Sequence, residues 1–293
     1  MSIRAGRPDD AEAVASFTQG TFSWGDYVGE AFPGWLEDPA LHIVVATDED
    51  DRAVGVMRTT LTSPREAWLA SARVHPDHRG RGLATEMNEA GVAWAGAQGA
   101  VVARLLIEDW NEGPQRQVER MGYHKGNSWS FARRDDLQSD PNPLRNGGPR
   151  VPGPERLLPA AGAEVDDAFL AWSSGRLLRA SRGLVSRHWA FWTLRPDDLV
   201  DARRRGALLT CPSGWVIGDL EEGHQGERRF SVTWLHASAE DSRRVLRACL
   251  DHAVERECES IALWLPVDAA LDAAHEALGF EASTSSVWER PIR

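Results

Sequence analysis

Between Val74 and Ala84 the chain reads Val-His-Pro-Asp-His-Arg-Gly-Arg-Gly-Leu-Ala, and helical spacing of apolar residues follows. A helix start holds a polyphosphate well, because its unpaired N–H groups and its positive dipole end point the same way. Backbone can approach phosphate closely only where side chains are missing, which Gly80 and Gly82 provide. Arg79 and Arg81 add positive charge with bidentate hydrogen-bonding geometry. Pro76 sets the chain direction as it leaves the preceding strand. Strand, proline, glycine pair and helix in this order predict a phosphate-binding loop. His75 and His78 have H-x-x-H spacing but no third ligand, so they read as polar loop residues and no metal site is expected.

The elements that must hold this loop alternate along residues 1–135. Ser2–Arg4 reads as a short strand, and a helix runs to Gln19 with Ala13, Val14 and Phe17 inward. Leu41–Ala46 and Val54–Arg58 read as a hairpin across the acidic turn Asp48–Asp51, and Trp68–Val74 as the strand entering the loop. The helix from about Gly82 to Ala97 carries Leu83, Met87, Ala90 and Trp94 on one stripe. A buried strand over Val101–Ile107, a helix over Gln115–Met121 and a strand over Ser128–Arg133 complete the set.

Residues 136–154 lie in a Pro- and Gly-rich stretch with few apolar side chains, which predicts a linker. Residues 155–293 then repeat the same order: a helix over Val165–Ser173, a hairpin over Ala207–Gly218 and a strand over Phe230–Leu235. A helix over Asp241–Glu257, a strand over Ile261–Leu265 and a helix over Leu271–Leu278 follow. The fold class is therefore α/β in layered α+β form, with one fold in tandem, each copy a mixed, mostly antiparallel central sheet flanked by helices.

With 293 residues the chain has room for two domains. Its net charge of −11 opposes nucleic acid and anionic membranes as general partners. No apolar run approaches the roughly 20 residues of a membrane span, and the N-terminus lacks the apolar core of a secretory signal, so a cytoplasmic protein is expected. Cys211, Cys249 and Cys258 form no CxxC pair, and Cys249 reads as core. Monomer and homodimer both stay open.

The pattern Val74-x-Pro76-x-x-Arg79-Gly80-x-Gly82-x-Ala84 resembles the acetyl-CoA signature of the GCN5-related N-acetyltransferase (GNAT) superfamily. Asn111, eleven residues before Gly122-Tyr123, is similar to that superfamily's second signature. The resemblance implies a domain over residues 1–135 that binds one acetyl-CoA. The backbone of Ala72, Arg73 and Val74 would meet the pantetheine arm. Arg79, Gly80, Arg81, Gly82, Leu83, Ala84 and Thr85 would hold the pyrophosphate, and Asn111 the amide arm. It also implies direct attack of an amine on the thioester, with no cysteine nucleophile.

Two positions depart from that pattern. The superfamily's usual acidic tyrosine, seven residues after the Asn, is Val118 here, and a frequent glutamate position is Leu106. Glu108, Asp109 and Ser71 stand as catalytic candidates, each also readable as an ordinary surface or strand residue. Glu66 and Tyr123 are further possibilities, with Tyr123 better suited to the core. The acceptor wall would be the segment from Thr21 to Trp35, where Trp24, Asp26 and Tyr27 could receive an amine with an apolar body and Glu30 adds charge. Trp24 and Trp35 serve equally well as core residues.

In residues 155–293 the place of the phosphate loop reads His236-Ala-Ser-Ala-Glu-Asp-Ser242, with no glycine and two carboxylates. Ser238-x-x-Asp241 resembles a capping box, so this copy is expected to have lost its cofactor. An insert over residues 175–205 carries Arg176, Arg179, Arg182, Arg187, Trp189, Phe191, Trp192 and Arg195. It reads as a helical packing segment, an anion site or a cover for the first cleft. The expected activity is transfer of an acetyl group to a primary amine of a small molecule. A non-enzymatic CoA-binding regulator and a protein-modifying or partner-binding module are the rivals.

Overall fold

Alternation of β-branched and small apolar residues makes residues 41–74 an antiparallel meander, and the acidic turn at 48–51 reverses the chain in water. The computed structural model describes residues 1–19, 21, 25–137, 155–187, 189–223 and 226–293. The expected linker, 136–154, falls outside the described residues except at Asp136 and Leu137.

The first half of the sequence forms β1 (Ser2–Ala5), α1 (Ala11–Thr18), α2 (Val28–Glu37), β2 (Leu41–Thr47), β3 (Ala53–Ser63) and β4 (Glu66–Val74). It continues with α3 (Leu83–Ala97), β5 (Val102–Glu108), α4 (Glu112–Arg120) and β6 (His124–Arg134). The second half begins with β7 (Leu158–Pro159), α5 (Glu164–Ser174), α6 (Arg176–Ser181), β8 (Leu184–Arg187), β9 (Ala190–Thr193) and α7 (Pro196–Arg204). It ends with β10 (Leu208–Cys211), β11 (Gly214–Glu222), β12 (Arg228–Ala237), α8 (Ser242–Glu255), β13 (Ser260–Pro266), α9 (Ala269–Ala277) and β14 (Glu281–Pro291).

Two units result. The first contains Met1–Ile107, Asn111–Lys125 and Trp288–Arg293, and the second contains Glu108–Trp110 and Gly126–Val287. These units differ from a simple division at the linker, because each takes its closing strand from the other half of the sequence. In the first unit, β1, β2, β3 and β4 pair antiparallel in order, and β4 pairs parallel with β5. The chain's last residues complete this unit, where the Ile292 N–H donates to the Val101 carbonyl at 2.8 Å. In the second unit, β7, β10, β11 and β12 pair antiparallel, β12 pairs parallel with β13, and β13 pairs antiparallel with β6.

Helices cover both faces of the first sheet. Val14 and Phe17 of α1 join Val28, Phe32 and Trp35 of α2 over Ile43, Val45 and Val56. Gly29 lets the two helices close up, since a Cβ there would lie 2.8 Å from the Cα of Ala15. The spacing of Val28, Phe32 and Trp35 makes α2 helical although Gly29, Pro33 and Gly34 weaken it. On the other face, Leu83 and Met87 of α3 are buried as expected, whereas Ala90 and Trp94 are half-buried. The buried row turns instead through Gly91, Val92 and Ala95, because Gly91 packs directly on β3. A Cβ at Gly91 would sit 2.4 Å from Thr59 Oγ1.

In the second unit, α8 packs Val245, Leu246, Cys249 and Leu250 into a core with Val216, Val232, Ile261 and Leu263. Burial there pushes the Cys249 thiol up, as an inert core residue requires. His275 of α9 is 2% exposed, and burial pushes its imidazole down to about 4.

Two stability measurements follow from this packing. Gly91→Val is expected to cost about 1–3 kcal/mol by overpacking, whereas Gly34→Ala, with no atom within 4 Å of the new Cβ, adds about 0.5–1 kcal/mol. Urea midpoints check both signs. Neutral buried His275 stabilises the fold above the unfolded pKa, and this contribution is lost as pH falls from about 6.5 toward 4. At pH 5 the loss is about 2 kcal/mol, and His275→Leu should lower the pH sensitivity of the urea midpoint by that amount.

Candidate cofactor site

The site begins where β4 and β5 part. They pair only through Glu66, Ala67 and Trp68 against Val102, Ala103 and Arg104. A buried cluster closes this end: Arg104 Nη1 donates to Glu66 Oε1 at 2.5 Å, and Ser63 Oγ donates to Glu66 Oε2 at 2.9 Å. Arg104 Nε also donates to Glu289 at 3.4 Å. Glu66 is therefore a strut between strands. Farther along, Ala70 to Arg73 of β4 oppose only Arg58 to Val56 of β3, so β4 bulges by one residue. Ser71 sits in this bulge with φ 61°.

The loop after β4 is built as its sequence implies. His75 N–H donates to Val54 O at 2.8 Å, and Pro76–His78 make one 3₁₀ turn. Gly82 then occupies the N-cap position of α3 with φ 85°, a conformation that favours glycine. Arg79, Gly80, Arg81 and Gly82 are exposed, and no atom lies within 4 Å of a Cβ built on Gly80. Helical geometry leaves Leu83 and Ala84 N–H groups without acceptors inside α3. Thr85 N–H instead donates to Gly82 O at 2.9 Å, and Thr85 Oγ1 accepts from Gln117 of α4 at 3.3 Å. Gln117 is a contact that the sequence did not suggest. Asn111 is half-buried at the N-cap of α4, and its side chain does not cap that helix. Divergent strands, an open left-handed glycine turn, helix-start donors and an uncommitted amide fit a phosphopantetheine cofactor.

The acceptor wall differs from the expectation in its charges. Arg73 Nε donates to Asp26 Oδ2 at 2.6 Å, and the Asp26 side chain is 0% exposed. Asp26 Oδ1 also accepts the Val28 N–H at 3.0 Å, which starts α2. Asp26 is thus neutralised by Arg73 and cannot offer a bare carboxylate to an amine. Tyr27 reaches back to β4, with its hydroxyl 2.9 Å from Ser71 Oγ. Trp35 packs into the core, edge-on to Tyr27 and under the Arg58 guanidinium. Trp24, Phe22 and Ser23 lie outside the described residues.

Of the remaining candidates, Glu108 and Asp109 belong to the second unit. Asp109 Oδ1 accepts from Ser286 Oγ at 2.6 Å, and Asp109 N–H donates to Thr284 O at 3.0 Å. Val118 is buried in the first unit's core, and Leu106 is half-buried in β5. Tyr123 is 1% exposed and donates to Asn88 Oδ1 at 3.2 Å. Burial pushes its phenol up to about 12, so it is a core residue.

The second unit repeats the parting of parallel strands, since β12 and β13 pair only from Arg229–Ser260 to Val232–Leu263. Here the space beyond is filled. Trp129, Trp172, Leu177, Ser181, Leu184, Thr233, Trp234, Leu235 and Pro266 leave a cavity of about 10 Å³. Asn127 Nδ2 anchors α6 through Ser181 O at 3.0 Å. Arg176 at the start of α6 donates to Ser242 Oγ, the first residue of α8, at 2.5 Å, and pairs with Asp268, the N-cap of α9. The insert is thus a helical packing segment that buries Leu177 and leaves Arg179 and Arg182 exposed, and Arg176 is no anion site because its charge is spent on Asp268. Ser238 and Asp241 bond reciprocally before α8, Oγ to Oδ2 at 2.7 Å and N–H to Oγ at 3.1 Å.

Fold and loop together define a tandem acetyltransferase-like protein. Residues 11–123 match the Acetyltransferase (GNAT) family, and that segment is a domain of the family. Whole-chain likeness extends to a GCN5-related N-acetyltransferase from Sphaerobacter thermophilus, at 14% identity and TM-score 0.67, covering 100% of this chain and 96% of that one. A tandem GNAT protein from the clavulanic acid biosynthesis pathway matches at 17% identity and TM-score 0.58, covering 100% of this chain and 99% of that one. No curated protein matches the sequence. Among the described residues, no helix is long and apolar enough to cross a membrane.

The Asp26–Arg73 pair yields a direct test. Asp26→Ala removes the partner of Arg73 and the first bond of α2, and should cost about 1.5–3 kcal/mol. A thermal melt that is unchanged in this variant would contradict the pairing.

Proposed function

We propose that the first unit transfers an acetyl group from acetyl-CoA to a primary amine of a small molecule, by direct attack. The open glycine turn at the start of α3, beside strands that part after three paired residues, is the observation that carries this reading. The backbone of Ala72, Arg73 and Val74, the loop from Arg79 to Thr85, and Asn111 would hold the cofactor. Its thioester supplies the activated acetyl group. The chain's own contribution is to fix the phosphates through helix-start donors and to keep the β4 edge aligned.

The second unit would be a silent copy, so that each chain takes one acetyl-CoA. Its filled strand gap and the Arg176–Asp268 pair support this. The buried hydrocarbon of Val118, where the superfamily usually has a phenol, favours the alternative of a CoA-binding regulator without turnover.

Thiol release from acetyl-CoA across a panel of primary amines separates the two readings. Turnover supports the transferase, and tight CoA binding without thiol release supports the regulator. Calorimetric titration with CoA should give one site per chain. Gly82→Trp puts an indole where the backbone must approach the phosphates, in space that is open around Gly82, so CoA affinity should fall about 100-fold or more. An unchanged affinity would remove the loop from the site.

A further inference from the structure

Acetyl transfer needs a proton for the departing sulfur, and the first unit holds no phenol where a superfamily member usually has one. Val118 is hydrocarbon, and Tyr123 is locked in the core against Asn88. A hydroxyl on the bulge of β4 meets another from the start of α2. Ser71 is 9% exposed, lies three residues past the last β4–β5 pair, and sits at φ 61°. A non-glycine residue holds such a backbone at a cost, which surrounding structure must impose.

Its Oγ is 2.9 Å from the Tyr27 hydroxyl, while Tyr27 itself is 36% exposed. Thus a buried hydroxyl on the bulge is joined to the hydroxyl of a residue that is partly exposed to water. Tyr27 is held from both sides. Its neighbour Asp26 is pinned to Arg73 and to the start of α2, and its ring meets Trp35 edge-on at 6.1 Å between centroids. Asp26 and Arg73 pair with each other at 2.6 Å, and the two hydroxyls can each donate and accept.

We propose that Ser71 and Tyr27 form a proton relay for the transfer, an inference that rests on the transferase reading above. As the amine nitrogen bonds to the acetyl carbon, the carbon–sulfur bond breaks and its electron pair goes to sulfur. Ser71 Oγ gives its proton to that sulfur and takes one from the Tyr27 hydroxyl, which water recharges. The nitrogen loses one proton to water, so amine and acetyl-CoA become amide and free thiol with no other reactant.

Tyr27→Phe and Ser71→Gly test the relay, glycine being chosen because it accepts the left-handed φ without strain. Each should lower kcat about 100-fold with KM for acetyl-CoA unchanged, and the double variant should lose little more than either single one. A second readout needs no turnover. The ultraviolet absorbance of bound CoA thiolate should titrate at lower pH in the wild type than free CoA, and Ser71→Gly should move it back. Wild-type turnover with both variants within twofold, or a bound thiol that ignores Ser71→Gly, overturns the relay alone. A wild type that binds CoA but releases no thiol with any amine overturns the transferase reading and the relay together.

Discussion

A parallel strand pair that stops pairing leaves backbone donors and acceptors that must find other partners. That constraint organises both units. In the first, β4 and β5 are held together only at Glu66–Trp68, where buried Arg104 and Glu66 brace the closed end. In the second, β12 and β13 separate after Val232 and Leu263. The first unit follows the gap with an exposed glycine turn and the second with an inserted helix and hairpin. One architectural feature thus receives opposite treatments: an exposed turn in the first unit, and a place filled by the chain itself in the second.

The second treatment has a chemical signature in Arg176. A phosphate-binding helix start presents N–H donors to an anion, yet α8 begins with Ser242 bonded to a guanidinium and with Ser238 and Asp241 serving each other. Arg176 links the start of α8 to Asp268, the residue that opens α9. In chain order these elements correspond to α3 and α4 of the first unit, which start at Gly82 and Asn111. The insert therefore ties together two helix starts that the first unit leaves open.

Two buried carboxylates of the first unit are committed to the fold. Asp26 is spent on Arg73 and Glu66 on Arg104, while in the second unit Asp109 takes the Ser286 hydroxyl. Buried carboxylates need such partners, because an unpaired charge away from water is costly. At the β4 bulge, Ser71 and Tyr27 are joined hydroxyl to hydroxyl. Likeness to solved structures at 14% and 17% identity concerns the fold, so residue roles have to come from such local contacts.

The sequence by itself determined the loop, most elements and the tandem order. Gly80, Gly82, the arginines and the helical stripe are local signals, since left-handed turns and helix periodicity depend on residues close in the chain. It also determined that the second copy lacks a glycine turn. Tertiary structure decided what depends on distant partners. β6 reads as a closing strand of the first half, yet it pairs with β13, because alternation shows that a strand exists but not which edge it joins. β14, rich in Ser and Thr, carries little apolar patterning and was not legible at all. Asp26 reads as an acceptor for amines until Arg73, 47 residues away, is placed against it. Likewise, the bond between Tyr27 and Ser71, 44 residues apart, exists only because the residue that opens α2 is brought against β4.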